Sequence, residues 1–470
     1  MSGNQFGAER EGSELNHTGG FWRGARRATT FLAIFVAIFP SALVAQNGLP
    51  AVGGAAQAAV FGAGAQAPLQ FAGQTEALNQ VTFMVGASTL YDDNILANNK
   101  IRRGDEALSL NSDLGISRRS DRLLINFDYE PFYLLYRQFG QYDHLNHFAN
   151  LNLNVRLTQR FILALHNTFS YQEGAYPTLV GQQLTAGPAS PTGLNQTIFP
   201  YTTRTLSNTP GLDLTFVRSR RTSFTLSGGY NQLKFSNHGL VAGPNLYNAT
   251  GMSGGLQYQY RMTEHTTFGV LALHQDTTYQ GGQILGNRLR FQIESAYVFL
   301  ASRLAPSVTV SINGGPQYFR TLGTSLAGTS IPGKVQGAVG GSITKEVRKS
   351  AVNLTVQRSV TDGGGYYTSL INTSSTLGVR RRMVGQWDAN IHGGAGRADT
   401  SLFELATGKT DSVTAGVDFI RPMRGGDVLH VAFDTTHQTS KGNLAVAANF
   451  DRNQVTVTYD FRLKAIPFGR

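Results

Sequence analysis

Residues 455–461, Val455-Thr456-Val457-Thr458-Tyr459-Asp460-Phe461, alternate apolar and polar side chains. In an extended strand one face is then polar, and the other carries four apolar residues: Val455, Val457, Tyr459 and Phe461. A soluble sandwich gives the same alternation, but here the segment ends a long series of similar segments in a chain whose N-terminal region, described next, predicts export. In a membrane such a strand requires a closed barrel, because an open sheet edge leaves unpaired N–H and C=O groups in hydrocarbon. We therefore expect this last strand to close a ring against the first.

The N-terminal region predicts export. Three arginines between residues 23 and 27 precede an apolar run over residues 31–39, which ends in small residues up to Ala45. The run is shorter than the ~20 residues of a spanning helix and is typical of a secretory signal peptide. We expect residues 1–45 to be an extension plus this signal peptide, with export through the general secretion pathway. Residues 46–79, rich in Ala, Gly and Gln, are predicted to be a flexible periplasmic segment, with a small plug helix as the alternative.

Eight short basic turns recur at intervals of about forty residues, which indicates a repeated hairpin unit. They lie at residues 117–120, 157–160, 218–221, 261–264, 302–305, 345–349, 380–382 and 421–424. Longer segments rich in Gly, Asn and Thr alternate with them, as short periplasmic turns alternate with long external loops in outer-membrane barrels. With both chain ends on the turn side, eight turns predict an all-β, antiparallel up-and-down transmembrane barrel of about 18 strands (about 16 to 18) over residues 80–470.

The alternation also predicts which side chains line the lumen. An arginine on the lipid face near the midplane costs about 2–4 kcal/mol, so the charged face of each strand is expected inside. In residues 289–299 this places Arg290, Gln292 and Glu294 inside and the apolar residues of that segment outside. The same reasoning selects ten further lumen candidates: Asp128, Glu130, Asn150, Asn152, Asn154, Gln257, Gln259, Asp418, His430 and Asp434. So many polar inward positions predict a wet interior.

The predicted strand number indicates a passage. Barrels of about eight strands are filled by their own side chains, whereas about 16 to 18 strands leave an aqueous channel unless a loop blocks it. We expect an aqueous passage for hydrophilic solutes in the outer membrane of a Gram-negative-type bacterium. The longest loop, residues 171–203, is the candidate constriction. If it fills the lumen, the chain is instead a structural barrel.

The charge and cysteine content narrow the chemistry. The net charge is +11, and there is no cysteine, which excludes disulfides, thiolate metal sites and cysteine nucleophiles. Many of the basic residues lie in or beside the short turns, where they can meet anionic lipid headgroups. We therefore expect outer-membrane lipids and the barrel insertion machinery as partners, and no nucleic acid.

No catalytic motif is present. The sequence has no phosphate loop, dinucleotide fingerprint, His-Glu-x-x-His or Gly-x-Ser-x-Gly pattern. Residues 143–147, Asp-His-Leu-Asn-His, are the only local cluster that suggests a metal or catalytic site. On a strand, however, His144 and His147 point to opposite faces. We predict no catalytic residues, no metal and no cofactor; an outer-membrane hydrolase is the least favoured alternative.

Two motifs resemble a known family. The segment Tyr91-Asp92-Asp93-Asn94-Ile95, at the end of the first predicted strand, is similar to the Tyr-x-Asp-Asn motif near the start of an outer-membrane β-barrel porin family often called type 2. Residues 459–462 and 467–470 also resemble the ends of such proteins. The general pattern of resemblance runs from about residue 80 to the C-terminus. Some members are associated with exopolysaccharide or capsule systems, so the resemblance implies polysaccharide export or, for a blocked lumen, glycan anchoring.

Overall fold

A computed structural model describes residues 79–96, 99–173, 203–237, 248–280, 289–322, 333–361, 370–399, 408–442 and 449–467. The predictions for residues 1–45, for residues 46–78 and for the centre of the longest loop lie outside these residues. Within the described ranges, no helix is long and apolar enough to cross a membrane.

The described residues form eighteen long antiparallel strands arranged in one ring. The strands are β1 (Gln80–Asp92), β2 (Asp105–Arg119), β3 (Leu123–Tyr136), β4 (His144–Arg156), β5 (Phe161–Glu173), β6 (Thr203–Val217), β7 (Thr222–Asn237), β8 (Asn248–Arg261), β9 (Thr266–Gln280), β10 (Leu289–Ala305), β11 (Val308–Leu322), β12 (Lys334–Val347), β13 (Ser350–Thr361), β14 (Leu370–Arg382), β15 (Asp388–Asp399), β16 (Gly408–Pro422), β17 (Val428–Gly442) and β18 (Phe450–Arg462). A two-residue extension, Ile466–Pro467, pairs with the start of β1.

The ring is closed by its first and last strands. β1 pairs with β18 from Met84↔Arg462 to Asp92↔Gln454, and each other strand pairs with its neighbours in sequence. We call this β1–β18 pairing the seam. It confirms the closed up-and-down barrel and the predicted number of strands.

Eight connections of 2 to 5 residues lie at one end of the barrel, as predicted. Three of them have a shared local cause: the hydroxyls of Thr158, Ser219 and Thr263 each accept a hydrogen bond from the backbone N–H two residues later, at 3.1 to 3.2 Å. Such turns are the usual role of Ser and Thr at strand ends. Some turns come a few residues later than predicted, since β10 runs to Ala305 and β14 to Arg382.

The register separates an inner from an outer face. Inward side chains of a closed sheet converge, so they are buried more than outward ones. Val455, Val457, Tyr459 and Phe461 are exposed outside, whereas Asp460 is fully buried inside. The exposed apolar side chains form an outer belt around the barrel, with members that include Val85, Leu110, Tyr133, Leu165, Leu226, Leu256, Ile312, Val339, Leu354, Val413 and Phe433. A continuous apolar belt of this kind matches a bilayer rather than water.

The predicted orientation of β10 is wrong. Gln257 pairs with Leu271 and Leu271 with Tyr297, so these three side chains share the inner face. Alternation then places Phe291 and Ile293 inside as well, where both are buried. The three residues expected in the lumen, Arg290, Gln292 and Glu294, lie on the outer face instead.

Strand length explains this error. β10 has 17 residues, whereas a tilted strand crosses a bilayer with about 9–11. At a rise of ~3.3 Å and a tilt of ~40°, Glu294 lies about 28 Å above the end of β10, beyond an apolar band ~25 Å tall. There the outer face meets water, and its charges form cross-strand pairs. Arg290 Nε donates to Asp276 Oδ1 at 2.7 Å, and Glu294 Oε1 lies 2.7 Å from His274 Nδ1.

Candidate functional site

The inner wall has a polar and an apolar region. The register places ten of the predicted lumen residues on the inner face: Asp128, Glu130, Asn150, Asn152, Asn154, Gln257, Gln259, Asp418, His430 and Asp434. Most of them belong to the polar region, which runs from β14 through the seam to β6. Their contact with a solute stays a prediction.

A connected set of side chains covers the polar wall on β15, β16 and β17. Asn390 Nδ2 donates to Asp418 Oδ2 at 3.0 Å, and His430 Nε2 lies 3.6 Å from Asp418 Oδ1. His392 lies between two carboxylates, with Nδ1 3.5 Å from Asp418 Oδ2 and Nε2 2.8 Å from Asp434 Oδ1. Sequence reasoning missed Asn390 and His392, although their alternation with Ala389 and Ile391 carries the same signal that selected the others.

Inward glycines let these side chains lie flat along the wall. A Cβ on Gly86 would be 2.1 Å from Asp460 Oδ1 and 2.7 Å from Asn111 Nδ2, so the two side chains meet across the strand only because Gly86 lacks one. Likewise, a Cβ on Gly416 would be 2.2 Å from Asp434 Oδ1. The polar groups therefore stay close to the backbone on this part of the wall.

The apolar wall covers the opposite side of the lumen. Inner-face residues of β8 to β11 form one buried cluster, which Val360 of β13 joins: Ala249, Tyr279, Leu289, Phe291, Ile293, Phe319 and Val360. Ile371 of β14 packs against it. β8 and β13 are five strands apart in the ring, so this cluster joins parts of the wall that contacts between adjacent strands would not connect.

The end of β13 reaches this cluster by folding inward. Among the described residues, the pairing of β13 with β12 ends at Val339↔Arg358, although β13 continues to Thr361. Val360 instead donates its N–H to Gln317 Oε1 at 2.8 Å, and Gln317 Nε2 donates to the Val360 carbonyl at 3.5 Å. Because Gln317 lies on the inner face of β11, the end of β13 lies inside the wall. This inward end narrows the lumen from one side.

Replacing the Gln317 anchor should loosen that constriction. In Gln317→Leu, the buried N–H and C=O of Val360 lose their side-chain partners, at a cost of about 1–3 kcal/mol. We expect a higher and noisier single-channel conductance in planar bilayers. Gln336→Leu is the matched control, because Gln336 pairs with Gln317 in register and lies on the inner face of β12. An identical conductance and noise in wild type and Gln317→Leu would contradict this account of the constriction.

The family-like motif ties the seam together at the long-loop end. Arg452 Nε donates to Asp92 Oδ1 at 2.9 Å, a second contact joins Nη2 to Oδ2, and both side chains are buried. Asn94 Nδ2 donates to the carbonyl of Asp451 at 2.8 Å, and Ile95 is fully buried against the inner side. We call Asp92, Asp93 and Asn94, together with Arg452 and Asn453, the seam clasp.

Asp93 completes the clasp from the first residue past β1. Its Oδ1 accepts the backbone N–H of Asn453 at 2.8 Å, and its Oδ2 accepts Asn453 Nδ2 at 2.6 Å and the guanidinium of Arg102. Burial alone would raise the pKa of this carboxyl, but the hydrogen bonds from Asn453 and Arg102 outweigh burial and hold the pKa below its usual range. The motif thus has a structural role in closing the barrel.

The two histidines of residues 143–147 lie apart. The register places His144 on the inner face, beside the carbonyl of Tyr142 at 2.6 Å, and His147 on the outer face, beside the Tyr129 hydroxyl at 2.8 Å. They therefore share no ligand. In the part of the chain that the structure describes, no group of three or more His, Cys, Asp or Glu residues is placed to hold a metal ion.

Comparison with known proteins finds similarity only among solved structures. No protein-family model matches the sequence, and no curated protein matches it. The chain is similar to OccK2 (OpdF) of Pseudomonas aeruginosa, at 13% identity over 82% of this chain and 99% of that one, with a TM-score of 0.45. It is also similar to OpdO of the same organism (12% identity, 82% and 98% covered, TM-score 0.44) and to its outer membrane protein opdK (12%, 82% and 100%, 0.43).

Proposed function

We propose that this chain is an outer-membrane porin that forms an aqueous passage for small hydrophilic solutes and favours cations over anions. The observation that carries the proposal is the closed eighteen-strand barrel with carboxylates along its inner wall. The arguments below concern its membrane, its width and its charge in turn.

The outer surface supports a place in the outer membrane. A belt of exposed apolar side chains surrounds the barrel, and the short turns lie together at one end. In bacterial outer-membrane barrels the short turns face the periplasm. The predicted signal peptide would deliver the chain there through general secretion, and outer-membrane lipids and the insertion machinery are the partners such a barrel requires.

The number of strands supports a water-filled lumen. Eighteen strands spaced ~4.8 Å apart and tilted ~40° form a backbone ring about 36 Å across. The inward end of β13 and the apolar wall take up one side. On the other side the polar side chains lie flat over glycines, which leaves room for a hydrated solute.

The inner charges support a preference for cations. Two inner-face arginines, Arg380 and Arg452, are ion-paired with Asp388 and Asp92. Further carboxylates lie on that face: Asp113, Asp128, Glu130, Asp213, Asp418, Asp434 and Asp460. Three of them, Asp213, Asp418 and Asp434, lie beside the inner-face histidines His166, His392 and His430. Rings and rows of carboxylates in a pore attract cations and repel anions.

Conductance and reversal potential in planar bilayers test the proposal. Across a KCl gradient, the wild-type barrel should conduct with a reversal potential of the sign that cation preference gives. The double variant Asp128→Asn, Glu130→Gln should shift that potential toward zero, because it removes two inner charges. Glu294→Gln removes an outer-face carboxylate and should leave the potential unchanged. A folded, heat-modifiable barrel that never conducts would overturn the proposal and favour the structural, glycan-anchoring alternative.

Polysaccharide export remains the narrower use implied by the family resemblance. A sliding glycan chain would stack on exposed aromatic rings, but the inner-face rings of Tyr279, Phe291 and Tyr297 are almost fully buried. This favours small solutes over a polymer. The hydrolase alternative would be supported if lipase or protease activity fell in a His144, His147 double variant.

A further inference from the structure

Unsatisfied oxygens gather on the inner face at the seam. Ser88 of β1 pairs in register with Thr458 of β18, and Gly86 pairs with Asp460 on one side and with Asn111 on the other. These side chains therefore surround one position on the lumen wall. We call it the seam pocket.

The carboxylates of the seam pocket have spare acceptor capacity. Asp460 is fully buried; its Oδ1 accepts a hydrogen bond from Asn111 Nδ2 at 3.2 Å, while its Oδ2 has no partner among the described residues. Asn111 Oδ1 and Asp113 Oδ1 are also buried without a described partner. Asp113 follows Asn111 on the same face of β2.

Two hydroxyls point to a ligand independently of the carboxylates. Ser88 Oγ and Thr458 Oγ1 are buried, and neither makes a hydrogen bond to any described residue. Leaving a buried polar group unsatisfied costs about 1–3 kcal/mol, so native structures rarely do so without a reason. Five such oxygens lie on nearby inner-face positions of β18, β1 and β2.

The pocket also carries negative charge. Neither Asp113 nor Asp460 forms an ion pair within the described part of the chain; Arg462, on the same face of β18, is exposed at the rim and is paired with neither. An anion would be repelled. His430 pairs in register with Thr458 at the edge of the pocket, where its Nε2 lies 3.6 Å from Asp418 Oδ1. Among the described residues, no group of three or more His, Cys, Asp or Glu residues is placed here to hold a resident metal ion.

We propose that the seam pocket binds a protonated primary amine carried by a solute in the lumen. An ammonium group has three N–H donors and no acceptor, which complements a pocket made of acceptor oxygens. Hydrogen bonds between an ammonium and a carboxylate are the strong, charge-assisted kind. The inference deepens the proposed function, since it names a solute class for the same lumen.

Equilibrium binding in detergent micelles tests the site without any need for conduction. With n-butylammonium chloride as probe, calorimetry should show saturable binding to the folded barrel. Tetramethylammonium carries the same charge without N–H donors, and it should bind at least about tenfold more weakly. Sodium butyrate, of the opposite charge, should not bind.

Substitutions locate the binding. Asp460→Asn should weaken butylammonium binding by about tenfold or more. Asp213→Asn is the matched control, because Asp213 is a buried inner-face carboxylate on β6, and it should leave the affinity unchanged. Should Asp460→Asn fail to fold, Ser88→Ala with Thr458→Val removes the two hydroxyls at constant charge and should still weaken binding.

The outcomes separate the site from the passage. Equal affinity for tetramethylammonium and butylammonium, or unchanged affinity in the folded seam-pocket variants, would overturn the site while leaving cation-preferring conduction intact. Saturable binding by a barrel that never conducts would support the site and overturn the proposed passage.

Discussion

Asp92→Ala is expected to lower the free energy of unfolding of the barrel by about 3–5 kcal/mol, the usual cost of removing one partner from a buried ion pair. Asp92 and Arg452 are both almost completely buried where β1 meets β18, and the substitution leaves a guanidinium without its carboxylate. Asp92 also accepts the backbone N–H of Asn94 at 3.0 Å, so the loop that follows β1 loosens as well. The lost stability therefore belongs to the pairing of β1 with β18, which closes the ring.

Guanidinium unfolding in lipid vesicles and heat-modifiable migration on gels measure this effect. Glu106→Ala is the matched control: Glu106 pairs with Arg137 at 2.8 Å, but the two side chains are 61% and 71% exposed, so the cost should stay below about 1 kcal/mol. The double variant Asp92→Leu, Arg452→Met removes both charges and should cost less than the two single changes added together. Equal losses from the buried and the exposed pair would refute a role for the seam clasp.

Ile312→Arg should destabilise the barrel by about 2–4 kcal/mol, whereas Val335→Arg should cost about 0–1 kcal/mol. Both residues are exposed apolar side chains of the outer face, at 53% and 68%. Ile312 lies four residues above the start of β11, about 10 Å up the wall and inside the apolar band. Val335 lies twelve residues above the end of β12, about 30 Å up and past the band.

The same unfolding assay compares the two arginine variants. Both variants introduce the same side chain. The difference between their costs in unfolding free energy therefore shows at what height the hydrocarbon ends on the outer face. A similar cost at both positions would mean that the outer belt extends to the level of Glu294. The explanation given for the outward charges of β10 would then fail.

The architecture could be predicted because its signals are local. Basic turns separated by alternating segments led to eighteen strands, and the two-faced stretch at residues 455–461 led to closure against β1. Each of these patterns is set by residues close in sequence. The inward placement of Asp128, Asn150 and Asp418 followed from the same alternation.

The reversal in β10 shows where alternation stops being informative. Within the bilayer a charge can face only the lumen, but above it both faces meet water. Arg290 and Glu294 lie in the part of β10 that projects beyond the belt, so their polarity carried no information about direction. The inward-facing Phe291 and Ile293 belong to a cluster that also contains Val360. Val360 lies on β13, which does not pair with β10.

Two contacts that shape the inner wall join residues far apart in the sequence. Gln317 holds Val360, 43 residues away, and Asp92 holds Arg452, 360 residues away. Neither contact has a sequence signal in a single chain. The Tyr-Asp-Asp-Asn segment could be identified as a family-like motif, but its role in closing the barrel became apparent only from the contacts of Asp93 with Asn453.

The seam clasp also has a consequence for assembly. Its partners Asp92 and Arg452 are 360 residues apart, so they cannot meet until the final strand has been synthesised. Contacts of such high sequence separation form late and slowly, because the loop that they close must first lose its conformational freedom. Until then the edge of the first strand is free, and an unpaired edge can pair with another polypeptide.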